Sequence, residues 1–452
     1  MDTICAISTA VGESAIGIVR LSGADTEDIL QRVFKPRHQE GFEPWRMVYG
    51  HVVSEGKVID EGLAVFFKGP RSYTREDMAE IHCHGGPVAL KRVLGAVLRA
   101  GCRQAEPGEF TKRAFLSGRL DLSQAESIMD VIQAKTDLAF DTALQQLSGG
   151  LSRIVGQLRA ELFGMVTHLA VNIDYPEEDI TEITYEDMEP AVSRMEETLK
   201  RLLQDAGRGR ILREGLKVAL IGRPNVGKSS LMNALLQEER AIVTHIPGTT
   251  RDVIEEYLNV RGIPVRLMDT AGIRETDDPV ERIGVQRSRT SYQEADLILT
   301  VLDSSEPMTP DDRELLSQVG DRPALVILNK ADLPPAMGEG EILKLLPRAV
   351  VIRTSTVGDI GLMRLEEAIE AIVTSGQAAG NYSFVTNVRH QALLEEALIW
   401  VTEVSGALDC REPYDLIEME LRSIHDLLGR ITGETVSEDL INAVFSQFCL
   451  GK

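Results

Sequence analysis

Hydrophobic positions along this 452-residue chain change their period several times. The first stretch, to about residue 118, mixes short strand-like and helix-like runs. Ile16-Gly-Ile-Val-Arg-Leu21 and Gly62-Leu-Ala-Val-Phe-Phe67 read as strands. Pro87 to Ala100 reads as a helix, with apolar Val88, Leu90, Val93, Leu94 and Val97 on one side. From about Asp121 to Gly207 the pattern is long and helical. Ile132 to Ala170 holds few breakers and repeats apolar residues at i, i+3 and i+4. The acidic run Asp174-Tyr-Pro-Glu-Glu-Asp-Ile-Thr-Glu182 reads as a bent connection, and a second helical stretch has Pro190 near its start. Between Lys217 and Thr374 strands and helices alternate. Val218–Ile221, Leu297–Leu302 and Ala324–Leu328 are continuous apolar runs, as expected of a parallel sheet covered on both faces. From Val388 onward the pattern is helical again. A β/α unit flanked by two helical stretches predicts one helical domain with a β/α domain inserted into it. The expected division is 1–118, 119–210, 211–376 and 377–452.

Composition narrows this little, except for charge. With 43% hydrophobic and 26% charged residues the chain reads as an ordinary globular one of about three domains. Its formal net charge of −22 argues against a broad basic face for nucleic acid. Any RNA contact is expected to be local or supplied by a partner. The five cysteines Cys5, Cys83, Cys102, Cys410 and Cys449 form no C-x-x-C pair, as expected in a reducing compartment. No secretory signal and no apolar run approaching ~20 residues is evident, so a cytoplasmic location without membrane contact is expected.

The β/α region carries specific chemistry. Gly222-Arg-Pro-Asn-Val-Gly-Lys228-Ser229 is a complete G-x-x-x-x-G-K-S that follows one strand and opens a helix. Such a loop turns backbone N–H groups onto phosphate oxygens, its lysine adds charge at the β/γ-phosphates, and its serine hydroxyl can ligate Mg²⁺. Asp269-Thr-Ala-Gly272 follows the strand Val265–Met268, setting a carboxylate near the metal and a glycine N–H near the γ-phosphate. Asn329-Lys330-Ala331-Asp332 follows another strand. A carboxylate there accepts both guanine N1–H and the 2-amino group, which adenine cannot offer.

In this order the motifs resemble a Ras-like GTPase domain of the Era/TrmE type. The resemblance assigns GTP contacts to Asn225, Val226, Gly227, Lys228, Ser229 and Ser230. It adds Thr244, His245, Ile246, Pro247, Gly248, Thr249 and Thr250 in the first switch, Asp269, Thr270, Ala271 and Gly272 in the second, and Asn329, Lys330, Ala331 and Asp332 at the base. Ser355 looks like the guanine-backing serine, followed by Thr356 where alanine is usual. Ser229 and Thr250 are the expected Mg²⁺ ligands. Ile273 stands where Ras-type proteins carry a water-orienting glutamine, and an isoleucine cannot orient water. Arg251, Arg274 and Arg282 are candidate arginine fingers.

Outside this region, Ala79-Glu80-Ile81-His82-Cys83-His84 alternates like a strand, so Glu80, His82 and His84 share a face. Two readings are open: a metal site, or a carboxylate that pairs with the parallel donors of a pterin. Cys449 reads as a packed cysteine or as a thiol activated by the nearby Lys452.

From end to end the chain resembles the MnmE (TrmE) family of tRNA modification GTPases. Arg20-Leu-Ser-Gly, His84-Gly-Gly-Pro87, Gly108-Glu-Phe110, Leu120-Asp-Leu-Ser-Gln-Ala-Glu126 and the terminal Phe448-Cys-Leu-Gly-Lys452 carry the resemblance beyond the GTPase motifs. It implies an α+β domain at the N-terminus that binds a one-carbon tetrahydrofolate, in the 5-formyl or 5,10-methylene form, and mediates homodimerisation. It also implies a helical domain with an inserted G domain, and a heterotetramer with an MnmG/GidA-like FAD protein. Together these add an aminomethyl or carboxymethylaminomethyl group to carbon 5 of the wobble uridine of certain tRNAs, the tRNA being held mainly by the complex. The resemblance further implies K⁺-stimulated hydrolysis, with Asn225, Thr244, Ile246 (through its carbonyl) and Thr249 around the cation. It implies Glu281 as the group that orients water, folate contacts from Arg20, Glu80, Arg119 and Lys452, and Cys449 as a candidate catalytic residue. A switch or ribosome-assembly GTPase and a folate-binding module are the competing classes. The former usually carries a basic RNA-binding domain, which this sequence lacks.

Overall fold

The computed structural model describes residues 2–38, 41–174, 183–237, 241–242, 257–268, 294–320, 322–358, 360–374 and 385–452. The first part is an α+β unit: β1 (Ile4–Ile7), β2 (Ile16–Ser22), α1 (Thr26–Val33), β3 (Phe34–Pro36), β4 (Val48–Ser54), β5 (Lys57–Phe67), β6 (Met78–His84), α2 (Pro87–Arg99) and β7 (Arg103–Gln104). The strands form one sheet in the order β3-β4-β5-β6-β2-β1-β7. Alternation decides its faces. Val19, Leu21, Ile81 and Cys83 turn one way and pack with Leu90, Val93 and Val97 of α2. Arg20, Glu80 and His82 turn the other way. The antiparallel register sets Arg20 directly opposite Glu80, so their pairing follows from strand pairing and not from a loop.

Five helices follow: α3 (Glu109–Leu116), α4 (Leu122–Gln133), α5 (Asp137–Leu147), α6 (Gly150–Asp174) and α7 (Tyr185–Glu214). The long helical pattern expected over 132–170 is therefore broken twice. Thr136 caps α5 with its side chain on the Ala139 N–H, and Gly149 adopts φ 83°, a left-handed turn that ends the run. Pro190 lies inside α7, five residues past Tyr185, and not in its first position. There it removes the N–H that would bond the Glu186 carbonyl, and a capping box between Thr184 and Asp187 supports that turn. Most of the acidic connection after Asp174 lies outside the described residues.

The chain then enters a β/α unit: β8 (Leu216–Ile221), α8 (Lys228–Gln237), β9 (Ala241–Ile242), β10 (Tyr257–Val260), β11 (Ile263–Met268), β12 (Leu297–Asp303), α9 (Pro310–Val319), β13 (Ala324–Asn329), α10 (Glu339–Leu345), β14 (Val350–Arg353) and α11 (Leu362–Thr374). The sheet runs β14-β13-β12-β8-β11-β10-β9; the first five strands are parallel and β10 is antiparallel. Every residue of β12 is buried, as its unbroken apolar run requires. This is a Ras-like P-loop sheet, with phosphate and base loops at the carboxyl ends of its parallel strands.

The chain returns through α12 (Val388–Cys410), α13 (Tyr414–Thr432) and α14 (Glu438–Phe445). Helices α6, α7, α12 and α13 share one core. Its members on α6 are Leu151, Val155, Leu158, Leu162, Met165 and Leu169; on α7 they are Met188, Val192, Met195, Leu199, Leu202 and Ala206. Both rows step by four and three in turn, the 3.5-residue period of a knobs-into-holes seam. The fold is thus an α+β domain, a helical bundle and an inserted Ras-like G domain.

Helix α4 joins these parts. Its apolar side, Leu122, Ala125, Ile128 and Met129, packs on Phe445 and Phe448 of the C-terminal segment. Its polar side carries two carboxylates one turn apart. Glu126 is 8% exposed and takes a two-point contact from Arg389 (2.9 and 2.8 Å) and one from His390 Nε2 (2.7 Å). Asp130 pairs with Arg213 at 2.8 Å and accepts from Thr386 at 3.3 Å. Arg213 lies just before the inserted unit, whereas Thr386, Arg389 and His390 lie just after it. One helix therefore clamps both crossings.

Burial alone would raise the Glu126 pKa, but His390 and then Arg389 hold it down to about 2. A depressed carboxylate pKa contributes stability above the unfolded value of 4.5 and loses it as pH falls toward 2. Glu126→Gln leaves Arg389 without its buried anion. The helical domain should lose about 3–5 kcal/mol in urea unfolding at pH 7, with the loss vanishing near pH 2. A parent-like midpoint at pH 7 would contradict the clamp.

Candidate functional site

The phosphate loop leaves β8 and enters α8. Gly222 (φ 156°), Asn225 (φ 62°) and Gly227 (φ 96°) give it the positive-φ turns that point successive N–H groups inward. At Gly227 a side chain is also excluded by space, because a Cβ would collide with the Asn329 amide. Lys228 Nζ lies inside the loop and donates to the carbonyls of Gly222 (2.6 Å) and Arg223 (2.7 Å); burial pushes its pKa down. Arg223 anchors the loop from outside, donating to buried Asp312 of α9 at 2.7 Å and to Glu306 at 3.1 Å. Val226 is buried, Ser229 and Ser230 begin α8, and Asn225 is exposed.

The base loop is tied to the phosphate loop. Asn329, at the end of β13, donates from Nδ2 to the Val226 carbonyl at 2.9 Å and accepts from Thr354 Oγ1 at 3.1 Å. Lys330, at φ 59°, reaches back to Asp303 at the end of β12 (2.6 Å). Burial would raise the Asp303 pKa, yet Lys330 and Ser305 hold it below the usual carboxylate range. The Ala331 N–H bonds the Thr354 carbonyl at 3.0 Å. Ser355 Oγ donates to the exposed Asp332 carboxylate, fixing the group that would face a guanine; Thr356 follows in the turn. Thr244, His245, Ile246, Pro247, Gly248, Thr249, Thr250, Asp269, Thr270, Ala271, Gly272 and Glu281 lie outside the described residues, as do Arg251, Ile273, Arg274 and Arg282.

A second cluster forms where the chain's end returns to the first domain. Arg20 and Glu80 pair at 2.8 Å, both side chains 17% exposed. His82 Nε2 lies 3.3 Å from the other Glu80 oxygen, and with Arg20 it draws the Glu80 pKa down against burial. The Arg20 guanidinium lies 5.6 Å from the Tyr73 ring and 5.9 Å from Phe110. Arg119 covers Tyr73 at 4.5 Å and donates to its carbonyl at 3.0 Å. The terminal turn seats here too. Ser8 Oγ donates to the Gly451 carbonyl at 3.1 Å, and Gly108 N–H to that of Cys449 at 3.4 Å. Gly451, at φ 87°, lies so close to the Ile7 carbonyl that no Cβ fits. Lys452 is half-buried, and burial followed by the Arg20 charge lowers its pKa. Cys449 is exposed.

Arg20, Glu80 and Lys452, far apart in sequence, thus form one charged cluster, with Arg119 at its edge over Tyr73. The metal reading of Glu80, His82 and His84 fares differently. His84 turns to Asp60 on β5 (2.6 Å), Glu80 is committed to Arg20, and no group of three metal-ligating side chains gathers among the described residues. Sequence reasoning missed Tyr73, Asp303 and Thr354. Tyr73 lies in a loop with no periodicity. Asp303 and Thr354 could have been found as polar residues ending apolar strands, the edge where α/β sheets bind ligands.

Comparison with known proteins places the chain. The profile of the TrmE N-terminus, described as that of a GTP-binding protein, matches residues 3–119, and that of the MnmE helical domain matches 122–449. A tRNA modification GTPase MnmE of Alkaliphilus metalliredigens is 47% identical over 457 residues, covering all of this chain and 99% of the relative. Those of Clostridioides difficile and Listeria innocua are 47% and 48% identical with the same coverage. Among solved structures, the G domain of the T. maritima FeoB iron transporter is 28% identical, over 35% of this chain and 98% of its own, with a TM-score of 0.26. With both family profiles in place and nearly half of all positions identical from end to end, the chain belongs to the MnmE (TrmE) family of tRNA modification GTPases.

Proposed function

We propose that this GTPase works with an MnmG/GidA-like FAD protein, as a homodimer within a cytoplasmic heterotetramer. It adds an aminomethyl or carboxymethylaminomethyl group to carbon 5 of the wobble uridine of certain tRNAs. In this reading residues 1–118 bind folate and dimerise, 119–210 and 377–452 build the helical domain, and 211–376 hydrolyse GTP. The observation that carries it is the meeting of Arg20, Glu80, Tyr73 and the terminal turn in one cluster, in a chain whose inserted domain is built for GTP.

Each part has a physical role. Phosphate-loop N–H groups and Lys228 receive the phosphates, and Asp332, steadied by Ser355, selects guanine. Ser229 and Thr250 would hold Mg²⁺. Asn225, Thr244, the Ile246 carbonyl and Thr249 would hold K⁺. The exposed Asn225 on its left-handed turn supports this, since its amide oxygen is free to face a cation at the phosphates. Bound there, the two cations supply positive charge where the leaving phosphate becomes negative. Glu281 orients the attacking water in place of the glutamine that Ile273 replaces.

At the second cluster the Glu80 carboxylate, with Arg20 on one oxygen and His82 near the other, keeps further lone pairs suited to the amino group and ring N–H of a pterin. Arg20, Arg119 and Lys452 suit the anionic remainder of a 5-formyl- or 5,10-methylene-tetrahydrofolate, and the Tyr73 ring gives it an aromatic wall. A one-carbon folate supplies the carbon to be transferred. Cys449, two residues from the glycine that seats the terminal turn, is the candidate thiol at that point.

GTP turnover should be faster in K⁺ than in Na⁺ at equal ionic strength, and Asn225→Ala should erase the difference. Equal parent rates in both salts would refute the cation site. Glu281→Ala should lower turnover with GTP affinity nearly unchanged. For the folate cluster, calorimetry with 5-formyl-tetrahydrofolate should show about 10- to 100-fold weaker binding by Glu80→Gln, the loss of a hydrogen bond to a charged group. Parent-like affinity would remove Glu80 from the site.

A further inference from the structure

A second charged surface lies across the first sheet from Arg20 and Glu80. Helix α2 and the turn joining β4 to β5 enclose an open groove of about 610 Å³. Its floor is apolar, with Ile59 and a Val88 that is 69% exposed; its walls carry Lys57, Lys91, Arg92 and Arg99. The one carboxylate in it, Glu55, lies 3.7 Å from Arg99, with both side chains largely exposed, which gives a weak pair. Among the described residues no acidic group pairs with Lys57, Lys91 or Arg92.

This is an unusual place for unpaired cations. The chain carries −22 in total, yet residues 1–118 hold 15 Lys and Arg against 15 Asp and Glu, so all of the excess acid lies elsewhere. Lys91 and Arg99, two turns apart on α2, are separated by about 12 Å along the helix axis, with Arg92 beside them. That span matches a few nucleotides of one strand. Gly95 lies between them and opens the wall to the backbone. Like charges held this close repel, and a polyanion relieves the repulsion.

The geometry points to this groove as a docking site for the sugar–phosphate backbone of tRNA. The inference rests on the tRNA-modifying reading and deepens it. The chain contributes one local, sequence-independent anchor, while the rest of its acidic surface repels RNA. The α2 core separates the groove from the Arg20–Glu80 face, so the anchor grips tRNA away from the base being modified.

The test measures fluorescent bulk tRNA binding to the complete assembly with the flavoprotein, by anisotropy between 50 and 200 mM KCl (a range of roughly this span resolves the salt slope). Lys91→Glu/Arg92→Glu should weaken binding by about tenfold or more, and the slope of log affinity against log salt should shrink by about 2. Lys91→Gln/Arg92→Gln should do the same to a lesser degree, which guards against a folding failure of the reversal. GTP turnover without tRNA should stay at the parent rate in both. Parent-like affinity and slope in both variants would overturn the groove and leave the tRNA reading standing. A parent assembly with no affinity for tRNA would overturn both. A variant whose oligomeric state changes while tRNA binding does not would make the groove a contact between copies, and would overturn the proposal.

Discussion

Two buried carboxylates on one helix constrain this molecule more than any other contact. Both side chains, Glu126 and Asp130, are nearly shut off from water; partners hold the Glu126 pKa down, whereas burial raises that of Asp130 even beside Arg213 and Thr386, so each depends on fixed partners. Those partners come from the two points where the chain passes into and out of the G domain: Arg213 on one side, Thr386, Arg389 and His390 on the other. The insertion is therefore held at its base by charge pairing, while its own sheet makes its own core. The opposite side of the same helix is apolar and carries Phe445 and Phe448, which lead into the terminal turn at the Arg20–Glu80 cluster. One short helix thus touches both the base of the GTP-binding unit and the segment that completes the second cluster.

The bundle formed by α6, α7, α12 and α13 packs beside that helix, with its four-and-three spacing of buried residues. The G domain also rests on the start of α5, where Leu138 meets the Gly262 turn and Lys135 lies 5.8 Å from the Tyr257 ring.

Much of the fold is legible in the sequence, because period and motif spacing report on faces. Val218–Ile221, Leu297–Leu302 and Ala324–Leu328 read as buried parallel strands and are such. The alternation at 79–84 correctly sends Glu80 and His82 to one face and Ile81 and Cys83 to the other. Periodicity failed where a cap or a left-handed glycine outweighs it: Thr136 and Gly149 split one apparent helix into three, and nothing apolar marks either break. Of the sites, the phosphate and base loops are legible because their chemistry is local. The second cluster is not local: the family resemblance groups Arg20, Glu80, Arg119 and Lys452, but register and tail docking, which no periodicity reports, bring them together, and the loop residue Tyr73 is missed. Glu126 stands in a signature run that invites a functional reading; its bonds to Arg389 and His390 make it a structural anchor.

The central claim is that GTP hydrolysis in this chain serves chemistry on a wobble uridine. Nucleoside analysis of total tRNA tests it most directly, in cells lacking the gene and in the same cells complemented with it. Loss of a 5-substituted wobble uridine on deletion, with recovery on complementation, is the expected result. Unchanged wobble uridine, with GTP turnover of the purified protein intact, would contradict the claim and leave a GTPase switch in its place.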